Sequence, residues 1–146
     1  MIEIAWRYHP DTPTPIQRPA TPDEARQVLL AGNRAFAELG MAGRPSRLVI
    51  DVAASNLGMR EPGAELHQQP LAAVMSCADA RVPLELITGQ AADGLFVVRI
   101  AGNLPSPECI GSLDYAVDNL HSIRLLVTLG HTGCGALGTA VDAYLS

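Results

Sequence analysis

Three short apolar runs in the second half of the chain, Leu71 to Ser76, Leu95 to Ile100 and Leu125 to Leu129, constrain the fold more than any other feature. Each is β-prone and bounded by polar or glycine residues, as strands buried on both faces are. Between them lie helical stretches, a short one from Pro83 to Thr88 and a longer one from Pro107 to Leu120, and a last helix runs from Cys134 or Gly135 to Leu145. Strand and helix in alternation imply right-handed crossovers. The expected fold is therefore α/β, a parallel-sheet core with flanking helices.

The first half is less regular. Prolines at 10, 13, 15 and 19 make residues 1–20 read as an extended arm without regular structure. A helix start follows, with Thr21 as cap, Pro22 at the first helical position and Glu24 completing a capping box. Ala25, Val28, Leu29, Gly32, Phe36 and Leu39 then recur at helical spacing as far as Gly40. Residues 40–70 are broken by glycine and proline, with a short helix expected from Leu48 to Leu57. A length of 146 residues suits one domain, 1–146.

Composition excludes several functions. With 48% hydrophobic residues but only 4% aromatic, the core has to be aliphatic. A net charge of -5 gives no basic excess for nucleic acid or an anionic membrane surface. No apolar run reaches the roughly 18 residues needed to span a bilayer. The N-terminus lacks the order of a signal peptide, which makes the cytoplasm the default location. In such a reducing compartment three widely spaced cysteines are free thiols or metal ligands, not a disulfide framework.

Ligand sites in parallel sheets lie at the carboxyl ends of the strands. The first run leads into Cys77-Ala-Asp79-Ala-Arg81, where an extended backbone turns Cys77, Asp79 and Arg81 to one side. The third leads into Gly130-His131-Thr-Gly133-Cys134-Gly135, with His131 at the strand tip, Cys134 at a helix start and glycines permitting a tight turn around an ion. Two thiolates and an imidazole brought together from two parallel strand ends suit Zn2+, and three protein ligands with an open position are expected of a catalytic site. Asp79 can be a fourth ligand or stand beside the metal; an ion pair with Arg81 would keep it off the ion.

These residues carry a resemblance. Cys77-Ala-Asp-Ala-Arg81 and His131-Thr-Gly-Cys134 are similar to the two signatures of the β-class carbonic anhydrases. The likeness extends through Gly32-Asn33-Arg34-x-Phe36, Leu95 to Asn103 and Gly111 to Val117. It implies that Cys77, His131 and Cys134 bind zinc and that Asp79 and Arg81 form a catalytic dyad. The implied reaction is reversible hydration of carbon dioxide to bicarbonate and a proton through zinc-bound hydroxide. By the same resemblance Gln68, Phe96 and Tyr115 are substrate-pocket residues, and Val74, where the family's switching type carries tryptophan, indicates the open type. It implies a homodimer or higher homo-oligomer, with no nucleic-acid or membrane partner.

The family continues for several tens of residues beyond the point matching Ser146, so the C-terminal part of its domain is expected to be missing here. Alternatives are hydrolysis of carbon disulfide or carbonyl sulfide on the same scaffold, or a catalytically silent zinc-binding assembly module. Cys109, inside a helix, reads as a buried free thiol, Arg99 as structural, and His9, His67 and His121 as surface or capping residues.

Overall fold

The computed structural model describes residues 2–9, 18–39, 46–53 and 67–146. Its centre is a three-stranded parallel sheet of β3 (Ala72–Ser76), β4 (Leu95–Arg99) and β5 (Leu125–Leu129), in the order β4-β3-β5. The three apolar runs are these strands. Ala72 faces Leu95 on one side and Leu125 on the other, and the ladders end at Ser76, level with Arg99 and Leu129. With all three strands parallel and in register, the tips of β3, β4 and β5 share one rim.

Helices cover both faces. On one, Ala72, Val74 and Leu71 pack with Ala25 of α1 (Pro22–Glu38) and Leu84 of α2 (Leu84–Thr88). On the other, Ala73, Met75 and Val98 pack with Cys109, Leu113, Ala116 and Leu120 of α3 (Pro107–Asn119) and the residue after it. The period of two in β3 thus splits its side chains between two cores. The last helix is α4 (Gly135–Leu145).

The helix starts form as their sequences dictate. Thr21 Oγ1 accepts from the Glu24 amide at 3.2 Å, while Glu24 reaches back to the amide of Ala20, one residue earlier than a capping box requires. Ser106 caps α3 ahead of Pro107 in the same way. Gly32 is where α1 crosses α2: a Cβ there would lie 1.8 Å from the Thr88 carbonyl oxygen. Asn33 Nδ2 donates to Ile87 O at 3.0 Å beside that crossing.

Two expectations fail in the first half. Residues 2–9 are not an arm without regular structure but β1 (Ile2–His9), paired in parallel with β2 (Ser46–Ala53). The helix expected from Leu48 to Leu57 is β2 as far as Ala53, and the remainder lies outside the described residues. The physical reason is alternation: Ile4, Trp6 and Tyr8 stand level with Leu48, Ile50 and Val52, a β-branched and aromatic pattern that suits a strand. His9 and Arg7 both reach Asp51 on the other face, at 2.7 and 3.6 Å. No helix among the described residues is long and apolar enough to cross a membrane.

Candidate metal centre

Cys77 leaves β3 buried, with only 5% of its surface exposed. Hydrogen bonds hold Cys77 to Asp79 close to β4, and the chain then turns at Ala80–Arg81, where Val82 N donates to Asp79 O at 3.1 Å, so the extended path expected as far as Arg81 ends at Asp79. Ala78 N donates to Ile100 O at 3.1 Å, and Arg99 donates through Nε to Cys77 O at 2.9 Å and through Nη2 to Asp79 O. Arg99 is therefore structural, as its sequence context suggests. After β4 a single 3-10 turn (Ala101–Asn103) passes through left-handed Gly102, whose φ is 68°, and brings its amide to the Cys77 sulfur at 3.4 Å.

The other half of the site follows β5. His131 is at the strand tip and Cys134 is the N-cap of α4. The chain turns through Gly133, with φ 67°. Of the three glycines expected to serve this turn, only Gly133 needs the left-handed region; a Cβ at Gly130 or Gly135 would meet nothing within 4 Å.

Cys77, His131 and Cys134 converge, with one ligand atom from each lying within 4.8 Å of the others. The two sulfurs are 3.9 Å apart. Two sulfurs each about 2.3 Å from one tetrahedral zinc are about 3.8 Å apart, so the spacing fits a shared ion. The imidazole is oriented for the same task. Its Nδ1 lies 3.0 Å from the Thr132 carbonyl, which can only accept, so Nδ1 holds the proton and Nε2 presents a lone pair. That Nε2 is buried and has no hydrogen-bond partner. A metal-ligating histidine has this arrangement, one nitrogen satisfied by a carbonyl and the other free for the ion. The donor set fits zinc.

Local charge agrees with the geometry. His131 first, then the amides of Gly102 and Asp79, favour the Cys77 thiolate and bring its pKa down from 9.0 to about 7. The Cys77 sulfur and the Thr132 carbonyl in turn raise the pKa of His131.

Asp79 and Arg81 stand beside the ligands. Arg81 donates from its backbone amide and Nε to Asp79 Oδ1, both at 2.9 Å, and from Nη2 to Oδ2 at 2.7 Å. These bonds hold the Asp79 carboxyl well below the usual carboxylate range. Arg81 Nη2 also reaches the Gly133 carbonyl at 3.3 Å, and Asp79 Oδ2 lies 3.8 Å from His131 Nε2.

The three expected pocket residues lie elsewhere in the chain. Gln68 precedes β3, whereas Cys77 follows it; Phe96 is level with Ala73, four residues and so about 13 Å along the strand from Cys77. The rings of Phe96 and Tyr115 are 6.2 Å apart. Gln68 and Tyr115 line a cavity of about 410 Å3 with Asn119 and His121, at the opposite rim from Cys77, His131 and Cys134. Cys109 is a buried free thiol in α3. Sequence reasoning gave no role to Asn103, which joins the strand tips; its one visible signal was a Gly-Asn pair just past the second strand.

Comparison with known proteins places the chain in a family. The family model described as carbonic anhydrase matches residues 72–145. Carbonic anhydrase 2 of Mycobacterium tuberculosis is 37% identical over 122 residues, covering 84% of this chain and 54% of that protein. A carbonic anhydrase of Mycolicibacterium smegmatis is 41% identical over 76 residues, covering 52% of this chain and 36% of the relative. The chain thus spans about half the length of the first of these relatives and about a third of the second. A solved tetrameric β-carbonic anhydrase of Sordaria macrospora overlaps with a TM-score of 0.49 and 31% identity, covering 51% of this chain and 39% of its own.

Proposed function

Because this chain belongs to the carbonic anhydrase family, in its β class, we propose that it interconverts carbon dioxide and bicarbonate at a zinc ion held by Cys77, His131 and Cys134. The observation that carries this reading is the buried, partnerless His131 Nε2 facing two sulfurs 3.9 Å apart. Bound zinc supplies Lewis acidity that brings the pKa of water to about 7.

The chain's own residues do the rest. Arg81 engages both Asp79 oxygens, which keeps the carboxylate ionised and committed to that pair, so that it would not itself bind the ion. Asp79 Oδ2 is then the acceptor that orients the attacking water, and the Arg81 charge prevents Asp79 from being protonated near neutral pH. Burial of Cys77 excludes bulk water from the inner side of the centre. Thiolate ligands need reducing conditions, which supports a cytoplasmic location.

Within one chain Gln68, Phe96 and Tyr115 stand at the wrong rim to wall this centre. For them to meet carbon dioxide, a second copy must bring them there, which supports a homodimer or larger homo-oligomer. Exposed Leu126, Leu137, Val141 and Tyr144 on β5 and α4 offer apolar surface for such contacts. In sizing experiments a clean monomer would count against this part of the proposal.

Stopped-flow carbon dioxide hydration by zinc-loaded protein, compared with Asp79→Ala, tests the activity. Loss of an orienting acceptor should lower the rate by about 100-fold or more with zinc retained. Equal rates near background in the two loaded proteins would contradict the proposal.

A further inference from the structure

The three strand tips meet at one carbonyl. Leu129 O, the last of β5, accepts from the Ser76 hydroxyl at 3.1 Å and from Asn103 Nδ2 at 2.9 Å. Ser76 is wholly buried and immediately precedes Cys77; Leu129 stands two residues before His131. Asn103 closes the turn after β4, next to the Gly102 amide that reaches the Cys77 sulfur. A single acceptor therefore links the segments carrying all three ligands.

Asn103 occupies this place at a cost. Its φ of 57° lies in the left-handed region, uncommon for a residue with a side chain. Its Oδ1 is buried without a partner. Only the amide nitrogen can donate to the Leu129 carbonyl, so the amide cannot be flipped to relieve the orphaned oxygen. Glycine would meet the backbone requirement, and an apolar side chain would leave no orphan, but neither would supply the donor. A buried unsatisfied oxygen, kept beside a donor that only this amide supplies, points to a function.

We propose that Asn103, together with Ser76, is a positioning residue for the ligand set: their two donors fix the Leu129 carbonyl, and with it the spacing between Cys77 and the His131–Cys134 segment. The β3–β5 ladder ends at the Ser76–Leu129 pair, so it does not itself set the path of Gly130 to Cys134. Beyond it the segment meets the rest of the site through Arg81 at the Gly133 carbonyl, from a side chain 72% exposed, through the Cys134 sulfur 3.9 Å from that of Cys77, and through α4 packed beside the turn after β4. A shift of the Leu129 carbonyl would therefore be passed on to His131. This inference rests on the zinc reading and deepens it.

Zinc affinity of the chain, measured against a chromophoric chelator, tests it together with the absorption spectrum of the cobalt(II) form and the melting temperature of the metal-free protein. Asn103→Gly keeps the left-handed backbone and removes only the donor; Ser76→Ala removes the other donor. Each should weaken zinc binding about 10- to 100-fold and alter the cobalt spectrum, with metal-free melting close to that of the parent. Affinity and spectrum unchanged in both variants would overturn the inference while leaving the zinc reading intact. Weakened affinity explained by an equal loss of metal-free stability would mark a structural role only and overturn it as well. If metal-free Asn103→Gly does not fold, Ser76→Ala decides by the same criteria. A parent chain that takes up neither zinc nor cobalt would overturn the zinc reading itself, and this inference with it.

Discussion

Cys77 and the pair His131–Cys134 reach the same centre from differently built parts of the molecule. Cys77 follows β3, which is paired on both sides and buried at every residue. His131 and Cys134 follow β5, which is paired on one side only among the described strands and has Leu126 57% exposed; α4 beyond them has no buried residue. The first half is positioned by packing. The second shares the β3 ladder and packs Leu125, Val127 and Leu129 on one face only, and from Leu129 onward it is joined to the first by polar contacts through Ser76, Asn103 and Arg81. A metal centre assembled this way has one rigid wall and one that is held in place.

The largest effect that could break this contrast is on folding. Leu84, 1% exposed beneath β3, should cost about 2–5 kcal/mol on replacement by alanine. Leu126→Ala, on the face of β5 exposed in a single chain, should stay within about 0.5 kcal/mol at protein concentrations where the chain is monomeric. Urea unfolding of the metal-free variants measures both, and similar losses would mean the two halves are packed alike.

Proton competition sharpens the contrast on the metal side. Cys77 titrates at about 7 and the pKa of His131 is raised, and each must lose its proton to bind an ion. Both effects have the same sign, so zinc affinity should climb as pH rises through 7 and fall as it drops. About tenfold per pH unit is expected below 7 for each proton displaced. Calorimetric titrations at a series of pH values would read the slope; a flat profile from pH 6 to 8 would contradict thiolate and imidazole ligation.

The smallest effects concern the turn. Gly133→Ala forces a side chain into φ 67° and should cost about 1–2 kcal/mol. Gly130→Ala meets open space and should cost less than about 0.5 kcal/mol. Thermal melts of the pair distinguish a strained turn from a merely glycine-rich one.

Much of this was legible in the sequence because the second half is locally consistent. Each strand of the central sheet is a bounded apolar run, and α1 and α3 start at Thr21-Pro22 and Ser106-Pro107. Cys77, His131 and Cys134 could be grouped as candidate ligands because residues at the carboxyl ends of the strands of one parallel sheet share a rim. In the first half, prolines at 10, 13, 15 and 19 obscured the alternation of Ile2, Ile4, Trp6 and Tyr8 that makes β1. The pairing of β1 with β2 joins residues more than forty positions apart, which no local pattern encodes. Asn103 was missed for the same reason, since its partner is the backbone of Leu129 and a carbonyl has no sequence signature. The separation of Gln68 from the metal rim, by contrast, follows from strand direction alone, because Gln68 lies before β3 and Cys77 after it.

Everything chemical depends on the three ligands sharing one ion, and metal stoichiometry tests that most directly. Protein loaded with excess zinc and then desalted should retain one zinc per chain. That zinc should be lost in Cys77→Ser and in Cys134→Ser, and kept in Cys109→Ala, whose thiol is buried in α3 and is not one of the three converging groups. A parent chain that holds no zinc, or a Cys77→Ser variant that holds as much as the parent, would contradict the shared centre.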